Sequence, residues 1–230
     1  MFRIGTSGYR YFWNKGKPSP FEWYLSQNFN TVEINASFYR FPNPNWINTW
    51  KKAPNNFDFS IKTHRSITHY TKLSEKAPDL WKRFKKEFTA MNNKISYWLF
   101  QFPQNFKPTD LNLEKLQNFI QLTSLDKKMV LEFRDSEWWQ QLNIFEEMGV
   151  TFCSIDAPKL PKKVVSTSDT VYLRLHGKTE WYSHIYTKSE LQNIIRKIKN
   201  VGAKRNYIYL NNDHGMLQNG QFLLQKLLKN

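Results

Sequence analysis

Cysteine is nearly missing: Cys153 stands alone in 230 residues. It allows no disulfide within the chain and no cysteine-based metal cluster. Its place in an apolar run reads as a buried thiol in a reducing cytoplasm. Long apolar runs are missing as well, and none approaches the roughly 20 residues that cross a bilayer. The opening Met1-Phe-Arg-Ile-Gly-Thr-Ser-Gly8 lacks the longer apolar stretch of a signal peptide and reads as a strand entering a turn. A cytoplasmic protein without membrane contact is the expectation. Histidine is scarce, with 5 residues, and His184 and His214 fall in peripheral stretches, which leaves too few ligands for a three-zinc cluster. Neither a glycine-rich phosphate cradle nor a nucleophile elbow occurs, since Gly5-Thr-Ser-Gly8 does not have the Gly-x-Ser-x-Gly spacing.

Acidic residues are outnumbered, 19 against 34 Lys and Arg, for a net charge of +15 and a pI of about 9.8. Such an excess fits attraction to nucleic acid or another polyanion. It also fits a chain-wide drift toward lysine, because Lys82, Lys85, Lys86, Lys115, Lys197 and Lys199 are scattered over helical stretches rather than gathered in one block. What the chain has in quantity is aromatic side chains, 17% of the residues with 9 Trp and 18 Phe. They must supply much of any core.

The most informative stretch is Val171-Tyr-Leu-Arg-Leu-His-Gly177. Successive residues of a strand point to opposite faces, so Val171, Leu173 and Leu175 share one face and Tyr172, Arg174 and His176 the other. Similar short runs occur at residues 2–7, 31–35, 57–64, 95–102, 129–134, 151–156 and 206–211. Helical spacing occupies 18–28, 45–52, 78–91, 111–122, 136–147, 189–200 and 216–228. Residues 157–168 carry two prolines and little periodicity, so the helix there is short or missing. Eight strands alternating with helices predict a single (β/α)8 barrel of the TIM type over residues 1–230, with no linker and no second domain. The runner-up is an open doubly wound sheet, which would not require polar residues on one face of so many strands.

Several stretches resemble the YecE-like family, domain of unknown function family 72. They are Ile4-Gly-Thr-Ser-Gly-Tyr9, Thr31-Val-Glu-Ile-Asn35, Phe38-Tyr39, Ile67-Thr-His69, Gln101-Phe-Pro103, Glu132-Phe-Arg134, Leu173-Arg-Leu-His-Gly177 and Asn211-Asn-Asp213. They run from the first strand to the last in the family's order. The resemblance implies a TIM-type barrel and no established reaction.

Barrels of this type place their sites at the C-terminal ends of the strands. Glu33, Glu132, Asp156 and His176 are the candidate catalytic groups there. Tyr9, Asn35, Lys62, His69, Gln101, Arg134, Arg174, Tyr186, Asn211 and Asp213 are the candidate binding groups. Ionised groups in such a place must be paired with one another or bind something. The charges nearly balance, with Glu33, Glu132 and Asp156 against Lys62, Arg134 and Arg174. Glu132 is expected deep, paired with Lys62 or Arg174, and Arg134 near the opening. Glu33, Lys62, Glu132, Asp156, Arg174 and His176 should all point into the barrel, and Val32, Ile61, Leu131, Phe133, Ile155, Leu173 and Leu175 outward. Mouth aromatics, Phe38, Tyr39, Trp138 and Trp181 among them, would stack on a sugar or base.

Three functions fit this set. The first is an enzyme acting on a phosphorylated or other anionic substrate, nucleic acid and nucleotide sugars included, with no cofactor. The second is a nucleic-acid-binding protein without catalysis. The third is a phosphoesterase or sugar isomerase using one divalent metal ion held by Glu132, Asp156, His176 and Asp213, against which the neighbouring Arg134 and Arg174 speak.

Overall fold

The computed structural model describes residues 1–228, Asp126 by its backbone alone. Its strands are β1 (Phe2–Thr6), β2 (Thr31–Ile34), β3 (Asp58–Lys62), β4 (Ile95–Phe102), β5 (Met129–Phe133), β6 (Thr151–Asp156), β7 (Thr170–Leu175) and β8 (Arg205–Leu210). The helices are α1 (Pro20–Ser26), α2 (Ala36–Tyr39), α3 (Pro44–Trp50), α4 (Ala77–Lys86), α5 (Asp110–Thr123), α6 (Leu142–Glu147), α7 (Lys188–Val201) and α8 (Met216–Leu228). All strand pairings are parallel, in the order β1-β8-β7-β6-β5-β4-β3-β2, and a bridge between Ser7 and Glu33 joins the two ends into a barrel. No described helix is long and apolar enough to cross a membrane.

The helices form where spacing and caps agree. Thr109 caps α5 by accepting from Asn112 N, and Thr187 with Glu190 makes a reciprocal capping box on α7, which Gly202 ends at φ 71°. Two expected helices are broken. The 78–91 stretch leaves α-geometry after Lys86 and continues as a 3-10 turn, Thr89–Lys94. The 136–147 stretch divides at Gln141 into a 3-10 turn, capped by Asp135, and α6. Between β6 and β7 no helix forms.

Register shows which face looks inward, because paired residues of parallel strands point the same way. Tyr172 pairs with Tyr207 and Cys153, and Arg174 with Tyr209 and Ile155. Their outward neighbours Val32, Ile61, Leu131, Phe133, Leu173 and Leu175 belong to the large apolar core beneath the helices, as expected. Trp138 is part of that core rather than of the mouth: it stacks on Phe133 with centroids 4.2 Å apart and donates to Phe106 O. A fully buried side chain of this size contributes about 1.5–3 kcal/mol.

Strand β6 departs from expectation. Cys153 and Ile155 pack in the inner cluster with Tyr97, Leu99, Val130, Tyr172, Tyr207 and Tyr209. Ser154 and Asp156 therefore face outward. The missing helix explains the inversion, since irregular chain covers β6 and its backbone needs partners. Ser154 Oγ accepts from Val165 N at 3.0 Å, and Thr167 Oγ1 accepts from Phe152 N at 2.8 Å.

Inside, tyrosine hydroxyls satisfy the polar groups of the lower layers. Tyr209 OH bonds Thr31 Oγ1 and Ser60 Oγ at 2.8 Å, Tyr97 OH meets Thr170 Oγ1 at 2.8 Å, and Tyr207 OH donates to Asp58 at 2.9 Å. The sheet is unevenly knit. Six residue pairs join β7 to β8, but only Val130–Thr151 and Leu131–Phe152 join β5 to β6, and β1 meets β2 at the Ser7–Glu33 bridge. Two half-barrels, β2–β5 and β6–β8 with β1, thus meet at two thin seams.

Candidate functional site

Arg174, at the C-terminal end of β7, is wholly buried and lies between two carboxylates. Its Nη1 is 2.5 Å from Glu132 Oε2 and its Nη2 is 2.6 Å from Glu33 Oε1. Glu33 also accepts from Ser7 Oγ and Tyr172 OH, each at 2.8 Å. Glu132 pairs through Oε1 with Arg134 Nε at 2.8 Å, and the Cys153 thiol lies 3.8 Å from its Oε2. Burial alone would raise the Glu132 carboxyl, but Arg134, Arg174 and Lys62 outweigh it and hold the group at about 2. Burial likewise works against the Arg174 charge, and the two carboxylates overcome it. Glu33 and Glu132 thus flank Arg174 as carboxylates with no exposure to solvent.

Above this layer sit two cations with no such closure. Lys62, ending β3, rests its Nζ 4.0 Å from the centroid of the Phe38 ring, and no described carboxylate lies within ion-pairing distance. Its backbone is held by Ser37, whose hydroxyl contacts Lys62 O at 2.6 Å. Burial and the charges of Arg174 and Arg134 bring the ammonium down to about 7, against the pull of Glu132 and Glu33. Arg134 is partly exposed, and its guanidinium lies 4.3 Å from the centre of the Trp181 ring. Neither of its Nη atoms has a described hydrogen-bond partner, and neither is sealed from solvent.

Neutral polar groups surround them. His69 lies on a π-helical turn, Ser66–Tyr70, of the kind often found at functional sites. Its ring meets Phe38 at 4.9 Å and its Nε2 is 3.5 Å from Gln101 Nε2. Burial, Lys62 and Arg134 lower His69 to about 4, so it is neutral at pH 7. His176 is wholly buried, with Asn211 Nδ2 3.0 Å from its Nδ1, and burial with Arg174, Arg134 and Lys62 keeps its ring neutral too. Its Nε2 has no described protein partner.

Three candidates lie elsewhere. Asp156 is on the outer face of β6, facing Lys178, Lys162 and Lys197, and burial raises its carboxyl. Tyr186 is buried on the same side and accepts from Gly177 N at 2.9 Å. Tyr9 is a core residue whose hydroxyl accepts from Trp50 Nε1 at 2.9 Å. Asp213 follows β8, its carbonyl accepting from Trp13 Nε1 at 3.1 Å, and its charge acts with those of Arg174 and Glu33 on the Tyr11 hydroxyl. Asn35 stays at the rim, 3.5 Å from Ser7 O. Ser7 and Tyr172 are the partners that sequence reasoning passed over. Tyr172 was signalled by sharing a face with Arg174, and Ser7, just past β1, only by its place in the stretch of residues 4–9.

Lys62 carries a checkable consequence. Its folded value of about 7 lies below the ordinary 10.5, so the unfolded chain holds the proton more tightly between them, and stability rises with pH across that window. Lys62→Met should raise thermal stability at pH 7 by on the order of 1 kcal/mol or more, since one pKa unit is about 1.4 kcal/mol. The advantage should fade as the pH approaches 10.5. Equal melting temperatures at pH 7 would mean that the ammonium is already compensated.

A family model described as "Protein of unknown function DUF72" matches residues 3–228. The chain belongs to the DUF72 family. A DUF72 family protein from Thermotoga maritima is 24% identical, with all of both chains covered and a TM-score of 0.87. Another, from Enterococcus faecalis, is 20% identical over 100% of this chain and 96% of its own, with a TM-score of 0.86. More distantly, SacUVDE shares the fold at 10% identity and a TM-score of 0.57, over 91% of this chain and 84% of its own. No curated protein matches. Among the described residues of this DUF72 protein, no three His, Cys, Asp or Glu side chains converge as a metal ion would need. Asp156 of the four candidate ligands points away from the barrel, because β6 is inverted relative to expectation.

Proposed function

We propose that this DUF72 protein is an enzyme whose small anionic substrate binds at the C-terminal mouth of the barrel, its negative group against Arg134 and Lys62. One observation carries the reading. The inner carboxylates are taken up by Arg174 and by one edge of Arg134, while the Arg134 Nη atoms and Lys62 Nζ have no described protein acceptor and are not sealed from solvent. A guanidinium fork suits carboxylate or phosphate. Gln101, neutral His69 and the His176–Asn211 pair would orient the rest of the molecule, and Trp181 would cover it. The scattered lysines of α4 and α7 lie on outer helix faces and play no part in this reading.

Thermal melts with graded phosphate or sulfate test the proposal. The wild type should be stabilised. In Arg134→Ala the fold should persist, but anion binding should weaken by roughly 1.5–3 kcal/mol, the range for hydrogen bonds to charged groups. Unchanged anion stabilisation in the variant would overturn the assignment. Sequence-independent DNA binding with a steep salt slope, indifferent to Arg134→Ala, would instead point to the basic outer surface.

A further inference from the structure

Among the described residues, Lys62 is the cation at the mouth that the ion-pair network leaves without a carboxylate partner. A lysine kept only for packing would be a poor choice there, since its ammonium lies over an aromatic ring with no described hydrogen-bond acceptor, and the pull of Glu132 and Glu33 does not make up for burial and the two guanidinium groups. Phe38 and the Ser37 anchor fix the end of β3, so the amine is presented rather than free to swing out. We propose that Lys62 is a nucleophilic amine and that the anionic substrate carries an aldehyde or ketone carbon, with which Lys62 Nζ forms an imine. The proposal rests on the reading of the mouth as an anion site and adds the substrate's second functional group.

The charge count supports an anionic carbonyl compound. With the amine neutral, Arg134 and Arg174 are balanced by Glu33 and Glu132. A protonated imine adds one positive charge; one carboxylate on the same substrate cancels it, and a phosphate monoester, at about −1.5 to −2, more than cancels it. The charged groups facing Nζ are Arg174 of β7, Arg134 and Glu132 from the end of β5, and Glu33 of β2, with the neutral His69 from the turn after β3. Burial and the two arginines keep a large share of the amine unprotonated near neutral pH, which is the form that attacks.

The step balances without a redox partner. The nitrogen lone pair forms a C–N bond to the carbonyl carbon, and the C=O π pair moves to oxygen. The nitrogen loses a proton to solvent and the oxygen gains one, giving a carbinolamine. Protonation of its hydroxyl and departure of water break the C–O bond and leave the protonated imine, so that amine, carbonyl and one proton become iminium and water.

Reductive trapping tests this. Wild-type protein is incubated with pyruvate or glyceraldehyde 3-phosphate, and in parallel with neutral acetaldehyde. Sodium cyanoborohydride supplies the hydride that fixes an imine, and the adducts are located by peptide mass mapping. The expected result is labelling concentrated at Lys62, half-maximal near pH 7, and absent from Lys62→Met. Arg134→Ala removes one of the charges that lower the Lys62 amine, so acetaldehyde labelling should shift to higher pH, and at the pH of equal acetaldehyde labelling the pyruvate labelling rate should still be tenfold or more below wild type. Labelling spread over surface lysines, or equal total labelling in Lys62→Met, overturns the amine assignment even if phosphate still stabilises the fold through Arg134. Labelling at Lys62 that is indifferent to substrate charge and to Arg134 keeps the nucleophile but removes the anion reading.

Discussion

Glu132→Ala is expected to cost about 3–5 kcal/mol of stability, the range for a buried ion pair broken from one side. The carboxylate serves two guanidinium groups, Arg174 at 2.5 Å and Arg134 at 2.8 Å, and its removal leaves both beside Lys62 with Glu33 as the remaining acid. Glu132→Gln keeps the volume but not the charge and should lose nearly as much. Acid should reveal the same residue. Its folded value of about 2 lies below the ordinary 4.5, so its contribution is complete above pH 4.5 and is lost as the pH falls from there toward 2. Urea melts across pH 2–7 should show a shallower acid limb in the variant than in the wild type. A loss under about 1 kcal/mol with an unchanged acid limb would mean that the pair adds little beyond neutral packing.

Gly5→Ala should be of similar severity, for a steric reason. A Cβ at this position in β1 would lie 2.2 Å from Thr31 O and 2.8 Å from Thr31 C, both backbone atoms of β2. No rotamer relieves such a contact, so β2 must move. Thr31 O is meanwhile held by Tyr24 OH at 2.9 Å, and the same hydroxyl accepts from Thr6 N at 3.0 Å. The displacement falls at the Ser7–Glu33 closure and pulls Glu33 from Arg174. A cost of about 3 kcal/mol or more is expected, at the upper end for overpacking. Gly202→Ala is the control: nothing lies within 4 Å of its added methyl, and its φ of 71° should cost only about 1 kcal/mol. Equal losses in the two variants, read by denaturant unfolding, would show that the seam yields easily.

The barrel was legible because most strands keep to one rule, polar inward and apolar beneath a helix. Glu33, Lys62, Glu132, Arg174 and His176 all obey it. Strand β6 breaks the rule for a reason that lies outside the strand. Its cover is irregular chain, which gives Ser154 a use on the outside, while Cys153 and Ile155 fill the interior among tyrosines. Alternation marks two faces but does not label them, and the short side chains of β6 carry no label of their own. That Glu132 pairs with Arg174 rather than with Lys62 depends on how far side chains from opposite walls reach across the barrel. Sequence spacing holds no such distance. The open state of Lys62 was hidden for the same reason, because it follows from what its neighbours have already paired with.

The two thin seams give the charged centre another meaning. Arg174 belongs to one half-barrel, and both of its carboxylates belong to the other. Ser7 and Tyr172 also reach from the first half to Glu33 in the second. Separating the halves at either seam would strand ions whose compensation exists only across the gap. Backbone pairing is sparse at these places, yet the ion pairs that cross both seams oppose their opening, and what other sheets draw from continuous ladders is supplied here in part by one guanidinium shared between two walls.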